Sequence, residues 1–403
     1  METAATETKP KTSKKRRRRI RLWLLWLLSL VLTALVTYWV AIRSGNAENV
    51  TLREALETIR GNFYFYDKNE DRLIDGAILG MTESLGDIYS TYYTEEEYAA
   101  LTKSNSGYYT GIGIVLQQME IGSFEITQVY PGTPAEEAGL AVHDKLLSIN
   151  GTSADGLDIN TFLNAMHSED GGENVLILER EGQQMTVTVT AREIYAPTVT
   201  YRMQTDTIGY IYLSGFHGEC VDEVKEAIEE LKEQGMTSLI FDVRDNPGGS
   251  LYDVCDIADI FLEKDLVITS LRSRTDKDEV FKTKTAGYAF PMVLLVNGNS
   301  ASASELLSGA LQDHGRAYLI GTQTFGKGIV QSYLPVLGTK GYIKITTEAY
   351  YTPNGVCIHG VGITPDAVVE NPEDALRYSI TNIPEGEDMQ LLAAVKYLSE
   401  ANR

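Results

Sequence analysis

The sequence predicts an α/β core, a small β-rich α+β domain inserted ahead of it, a helical N-terminal unit before both, and a single N-terminal transmembrane helix. Three observations carry that expectation. From residue 194 onward, apolar strand-like runs alternate with an amphipathic helical pattern, the β-α-β rhythm of an α/β core. Between residues 107 and 193, short apolar runs are separated by Gly- and Pro-containing turns. Leu22 to Ile42 is a run of 21 residues without a charge, close behind a basic cluster at Lys14 to Arg19. The expected boundaries are a basic head at 1–21, the membrane helix at 22–42, a helical unit at 43–106, the β-rich domain at 107–193, the α/β core at 194–371 and a C-terminal helical segment at 372–403.

At about 1.5 Å per residue the uncharged run reaches roughly 30 Å, the thickness of a hydrocarbon core. Trp23, Trp26, Tyr38 and Trp39 lie towards its ends, where amphipathic rings settle at the interface. The basic cluster should stay in the cytoplasm, which places the body of the chain outside it at the cell membrane. A cleaved signal peptide is the rival, but its apolar region would be about 7–15 residues, and Ile42 to Ala47 offers a poor cleavage site. The first 43 residues carry ten Lys/Arg against two acids, while the whole chain has a formal charge of −21, so the body is strongly acidic. Such a body repels phosphate, which argues against nucleic acid as a partner. Cys220, Cys255 and Cys357 are widely separated and read as small core side chains. No metal motif and no cofactor are expected. Self-association is left open.

Leu52, Ala55, Leu56 and Ile59 recur at helical spacing, as do Leu73, Ala77, Ile78 and Met81. In the β-rich stretch, Gly111-Ile112-Gly113-Ile114 begins a short strand, Tyr130 to Leu140 gives a turn and a short helix, and Asp144 to Gly151 is a strand into a tight turn. Asn160 to Met166 suits a helix; Asn174 to Leu178 and Met185 to Val189 suit strands. In the core, Thr207 to Leu213, Ser238 to Arg244 and Met292 to Val296 read as strands, and Glu219 to Gln234 as a helix with Val221, Val224, Ala227, Ile228 and Leu231 inward. Tyr342 to Tyr351 adds a strand and Met389 to Leu398 a terminal helix.

The chemistry concentrates at two places. Strand 292–296 runs through Asn297-Gly298-Asn299 into an apolar helical stripe, so Ser300, Ser302 or Ser304 stands at a strand-to-helix elbow beside unpaired helical N–H groups. Any of the three could simply cap the helix. Lys327 lies between Gly326 and Gly328, with Phe325, Ile329 and Val330 as apolar walls and no acid close in sequence. A lysine acting as a general base must be neutral near pH 7, which requires burial costing about 4–5 kcal/mol. Gln331 lies four residues further on and faces the same side if the segment is regular. The five histidines suggest no Ser-His arrangement: His314 lies over three helical turns past Ser302, and His359 has no acidic partner of evident role.

These motifs resemble the carboxy-terminal processing peptidases, or tail-specific proteases. The likeness lies in Gly80 to Tyr92, in the Gly111 to Gly151 series (which looks like a PDZ domain), in the Asn299 to Glu305 elbow and in Gly326-Lys327-Gly328-Ile329-Val330-Gln331. The resemblance implies Ser302 as nucleophile, Lys327 as its base, Gln331 as the residue orienting the lysine amine, and the N–H groups of Gly248 and Ala303 as an oxyanion hole. It implies a PDZ groove in which Gly111, Ile112, Gly113 and Ile114 take a substrate's C-terminal carboxylate, with Ile112 and Ile114 bordering it. His167 would stand where the family often carries an arginine that couples this domain to the active site. The expected activity is serine endopeptidase cleavage of unfolded protein or peptide tails outside the cytoplasm. The alternative is a catalytically silent PDZ scaffold at the membrane.

Overall fold

The computed structural model describes residues 23–37, 47–274, 278–384 and 386–401. It divides into two compact units, residues 1–78 and 79–403. In the first, residues 23–37 form a helix whose side chains are all exposed. Among the described residues no helix is long and apolar enough to cross a membrane. The expected basic head, and residues 22 and 38–42 of the expected membrane helix, lie outside the described residues. A helix follows at Ala47–Asn62, where Arg60 pairs with Glu57 and Glu70. Its apolar stripe is not buried in a core: Leu52 is 50% and Ile59 39% exposed.

The centre of the second unit is a six-stranded sheet in the order Val199–Met203, Ile208–Leu213, Ser238–Asp242, Met292–Val296, Tyr318–Gly321, Ala367–Val368. Its first pair is antiparallel and the rest are parallel. Parallel neighbours need crossover connections, and helices Cys220–Glu233, Leu251–Phe261 and Ala303–Asp313 lie within them. Strands Ser238–Asp242 and Met292–Val296 are buried at every position, because both faces of the sheet are covered. Alternate residues Leu239, Phe241, Leu294 and Val296 pack with the crossover helices. Ile240, Val293 and Leu295 point the other way, against Ala394 and Leu398 of helix Met389–Ala401. That terminal helix is also tied in by charge. The buried Arg244 guanidinium bonds Asp242, Asp388 and Gln390, just before the glycine turn at 245–249.

A second, antiparallel sheet has Tyr342–Tyr351 at its centre, paired with Ile329–Pro335 along one edge and with Thr91–Tyr93 and Val267–Ser273 along the other. Glu279–Lys282 extends it beyond Val267–Ser273. The β-rich domain has its own core of Phe124, Ile126, Leu146, Ile149, Phe162, Leu176 and neighbours. Among the described residues strand Ile114–Glu120 is the edge of its sheet, paired only with Ser123–Val129. A short ribbon, Tyr108–Gly111 with Arg192–Tyr195, joins this domain to the rest.

Candidate active site

The elbow after strand Met292–Val296 separates the three serines that spacing leaves equivalent. Ser300 Oγ donates to Val243 O at 2.7 Å and Ser304 Oγ to Asn246 O at 2.9 Å, and both residues are fully buried. They fasten the elbow to the neighbouring glycine turn. Ser302 is half-buried, lines a cleft of about 1120 Å³, and holds φ at 55°, a region that a non-glycine residue seldom adopts.

Glu305, one turn into the helix and fully buried, fixes that conformation. Its Oε2 accepts from Ser302 N at 2.9 Å and from Lys327 N at 2.8 Å. Its Oε1 accepts from Thr324 Oγ1 at 2.6 Å and Gly326 N at 2.7 Å. One carboxylate therefore ties the serine elbow to the lysine loop, with donors on both sides. Tyr350 adds a second link, its hydroxyl donating to Ser302 O at 2.8 Å and to Lys327 O.

Lys327 lies in the loop before strand Ile329–Pro335, its Nζ 4.7 Å from the centroid of the Tyr89 ring. Burial pushes its pKa below the ordinary lysine value and Lys344 adds to the effect, while Asp87 and Glu305 oppose it. That shift favours the neutral amine a base requires. Lys327 and Ser302 line the same cleft, but among the described residues no hydrogen bond joins Nζ to the serine hydroxyl.

Gln331 does not bond the lysine amine. Its Nε2 donates to Thr346 Oγ1 at 3.2 Å, and that hydroxyl donates to Asp87 Oδ2 at 2.6 Å. Gln331 and Lys327 nevertheless line the same cleft, although Lys327 precedes the strand and the register shifts between Val330 and Gln331. Ala303 N has no partner among the described residues, whereas Gly248 N donates to Asn246 Oδ1 at 2.9 Å. Gly248 has φ 102°, and a Cβ there would meet Ser302 Cβ at 2.8 Å, so the glycine turn and the serine elbow are in close contact. For Gly248 N to bind an oxyanion, the Asn246 side chain must release it. His217 also lines the cleft, with Nδ1 buried and unpartnered among the described residues; the sequence reading gave it no role.

In the β-rich domain, Ile112 N and Gly113 N donate to nothing among the described residues, while Ile112 O accepts from Ala135 N at 2.8 Å. Gly113, at φ 93°, turns the chain from the ribbon, which ends at Gly111, into the edge strand that starts at Ile114. Ile112 does not border a groove: its side chain is 2% exposed and belongs to the domain core, while Ile114 is half-buried. His167 is engaged within its own domain, N to Asn174 Oδ1 at 2.8 Å and Nδ1 to Glu173 O at 3.1 Å. Bonds around the domain's margins involve residues the sequence did not mark. Gln117 Nε2 donates to Arg377 O at 2.8 Å, and the Tyr195 hydroxyl bonds the Glu223 carboxylate while accepting from Glu219 N.

An elbow serine and a partly buried lysine thus line one cleft beside an α/β sheet, their loops tied by one carboxylate. Comparison with known proteins gives the class, a serine peptidase. Residues 207–369 match peptidase family S41, and residues 125–180 match the PDZ domain. The chain is 36% identical over 313 residues to the carboxy-terminal-processing protease of Bartonella bacilliformis, covering 75% of this chain and 71% of that one. It is 34% identical over 328 residues to the carboxy-terminal processing protease CtpB of Bacillus subtilis, covering 80% and 68%. A putative S41 protease structure from Bacteroides fragilis shares the fold with a TM-score of 0.54 at 18% identity, over 79% of this chain and 88% of that one. The chain belongs to peptidase family S41, the carboxy-terminal processing proteases, and carries a PDZ domain.

Proposed function

We propose that this chain is a membrane-anchored endopeptidase that cuts unfolded protein tails outside the cytoplasm through a Ser302-Lys327 acyl-enzyme. The observation that carries this reading is the single Glu305 oxygen shared by the N–H groups of Ser302 and Lys327, two residues that line one cleft. Neutral Lys327 takes the proton of Ser302 Oγ as the hydroxyl attacks a peptide carbonyl carbon. The carbonyl oxygen, now an oxyanion, meets Ala303 N and, once Asn246 turns away, Gly248 N. The C–N bond breaks as Lys327 returns the proton to the leaving amine, and water then releases the acyl group from Ser302. Gln331 lines the same cleft and bonds Thr346, whose hydroxyl holds Asp87.

The unclaimed N–H groups at Ile112 and Gly113 and the free edge strand support capture of a substrate's α-carboxylate by the PDZ domain. A peptide with a free C-terminus should therefore be bound and cut better than its amide. Equal binding and cleavage of the two would remove the carboxylate role and leave the peptidase reading intact. The uncharged run at 22–42 behind a basic head supports an anchor with the body outside. The full-length chain should stay in the membrane fraction after an alkaline wash, its body open to protease added outside intact cells. A mature N-terminus at or beyond Ser44 would refute the anchor.

A further inference from the structure

We propose that Tyr350 is a positioning residue that sets the spacing between nucleophile and base by holding the main-chain carbonyls of both. This rests on the assignment of Ser302 and Lys327 above. Two side chains hold the backbone of those two residues. Glu305 Oε2 takes both N–H groups, and the Tyr350 hydroxyl reaches both carbonyl oxygens. A hydroxyl has one proton to donate, so the two carbonyls share it and must both stay within reach of one oxygen. That requirement limits how far the serine elbow and the lysine loop can drift apart. It also holds the C=O side of Ser302, whose φ of 55° is unfavourable for a residue with a side chain.

Tyr350 is suited to serve as a fixed reference. It is 3% exposed, lies on strand Tyr342–Tyr351 opposite Leu271, and its own N–H donates to Gly328 O at 3.1 Å. Tyr350 thus holds two successive carbonyls of the lysine loop. Burial pushes the phenol's pKa well above its ordinary value, so the donor persists across the working pH range. Among the described residues the hydroxyl bonds main chain only. It acts through Ser302 and Lys327, and no proton passes through it.

The test is Tyr350→Phe in the full chain, which removes one oxygen and keeps the ring. With an unstructured protein as substrate, kcat should fall about 100-fold with KM nearly unchanged, since a shift of about 1 Å between reacting groups has that effect. The rising limb of the pH-rate profile should also move to higher pH, as a loosened Lys327 regains solvent. Ile257→Val, in the core and away from the cleft, serves as a stability control. The proposal is overturned if Tyr350→Phe keeps the parent kcat and pH limb, or if Ile257→Val at an equal loss of Tm lowers kcat as much. Should Tyr350→Phe not fold, 3-fluorotyrosine at position 350 strengthens the donor with little change of shape. It should then shift the pH limb at unchanged KM, and an unshifted limb would overturn the proposal. Ser302→Ala in the same assay separates the two claims. If it still turns over, the nucleophile is wrong whatever Tyr350 does; if it is inert while Tyr350→Phe is unimpaired, only the positioning role fails.

Discussion

Ser302→Ala and Lys327→Ala should each lower turnover of an unfolded protein by about 10⁴-fold or more, because neither half of an activated nucleophile works alone. Alanine variants at His143, His167, His217, His314 and His359 should retain turnover. His217 is the demanding member of that set, since it lines the same cleft as Ser302. The pH dependence follows from the lysine. The base must be neutral, so the rate rises with pH as Lys327 loses its proton. Burial depresses that pKa, which places the limb below the range of an ordinary lysine. A rate independent of pH through that range, or undiminished turnover by Lys327→Ala, would contradict the Ser-Lys assignment.

Glu305 carries the second large effect. Its carboxylate accepts from three backbone N–H groups and the Thr324 hydroxyl; the bonds from Thr324 and Gly326 are buried and those from Ser302 and Lys327 half-buried. Glu305→Ala leaves four donors unpaired, at about 1–3 kcal/mol each when buried, so stability should drop by at least about 3 kcal/mol in urea unfolding. Glu305→Gln is the sharper test of geometry. An amide can accept through only one oxygen and presents an NH₂ to the remaining donors. The elbow and the lysine loop should separate, and turnover should fall about 100-fold or more even in folded protein. Parent-like stability of Glu305→Ala, or parent-like turnover by Glu305→Gln, would show that the carboxylate does not hold the site together.

The contrast between Ser302 and Glu305 shows what the sequence could and could not convey. Continuous apolar runs such as Met292 to Val296 mark buried strands directly, and the change to helical spacing at Ala303 marks the elbow. The Ser302-x-x-Glu305 spacing is itself a capping-box signal that would have placed the Glu305 carboxylate on Ser302 N. Nothing local joins Glu305 to Lys327, 22 positions away, because that bond depends on two loops meeting across the sheet. Asp87 and Tyr89 were legible only as part of a motif in a helical unit. Strand Thr91–Tyr93, pairing with Tyr342–Tyr351, delivers them to Lys327 and Gln331. Spacing placed Gln331 in the same cleft as Lys327, but its bond to Thr346 depends on the pairing of two strands and has no local signal. Ile112 was assigned to a groove by its neighbourhood in sequence, whereas the domain core claimed its side chain.

The most direct test of the central claim is to trap the acyl-enzyme. An activated ester of a short unstructured peptide, quenched in acid within the first turnover and digested, should leave its acyl mass on the peptide containing Ser302. Lys327→Ala should form that adduct far more slowly under the same conditions. An adduct on any other residue, or equal acylation rates for the two proteins, would contradict the account.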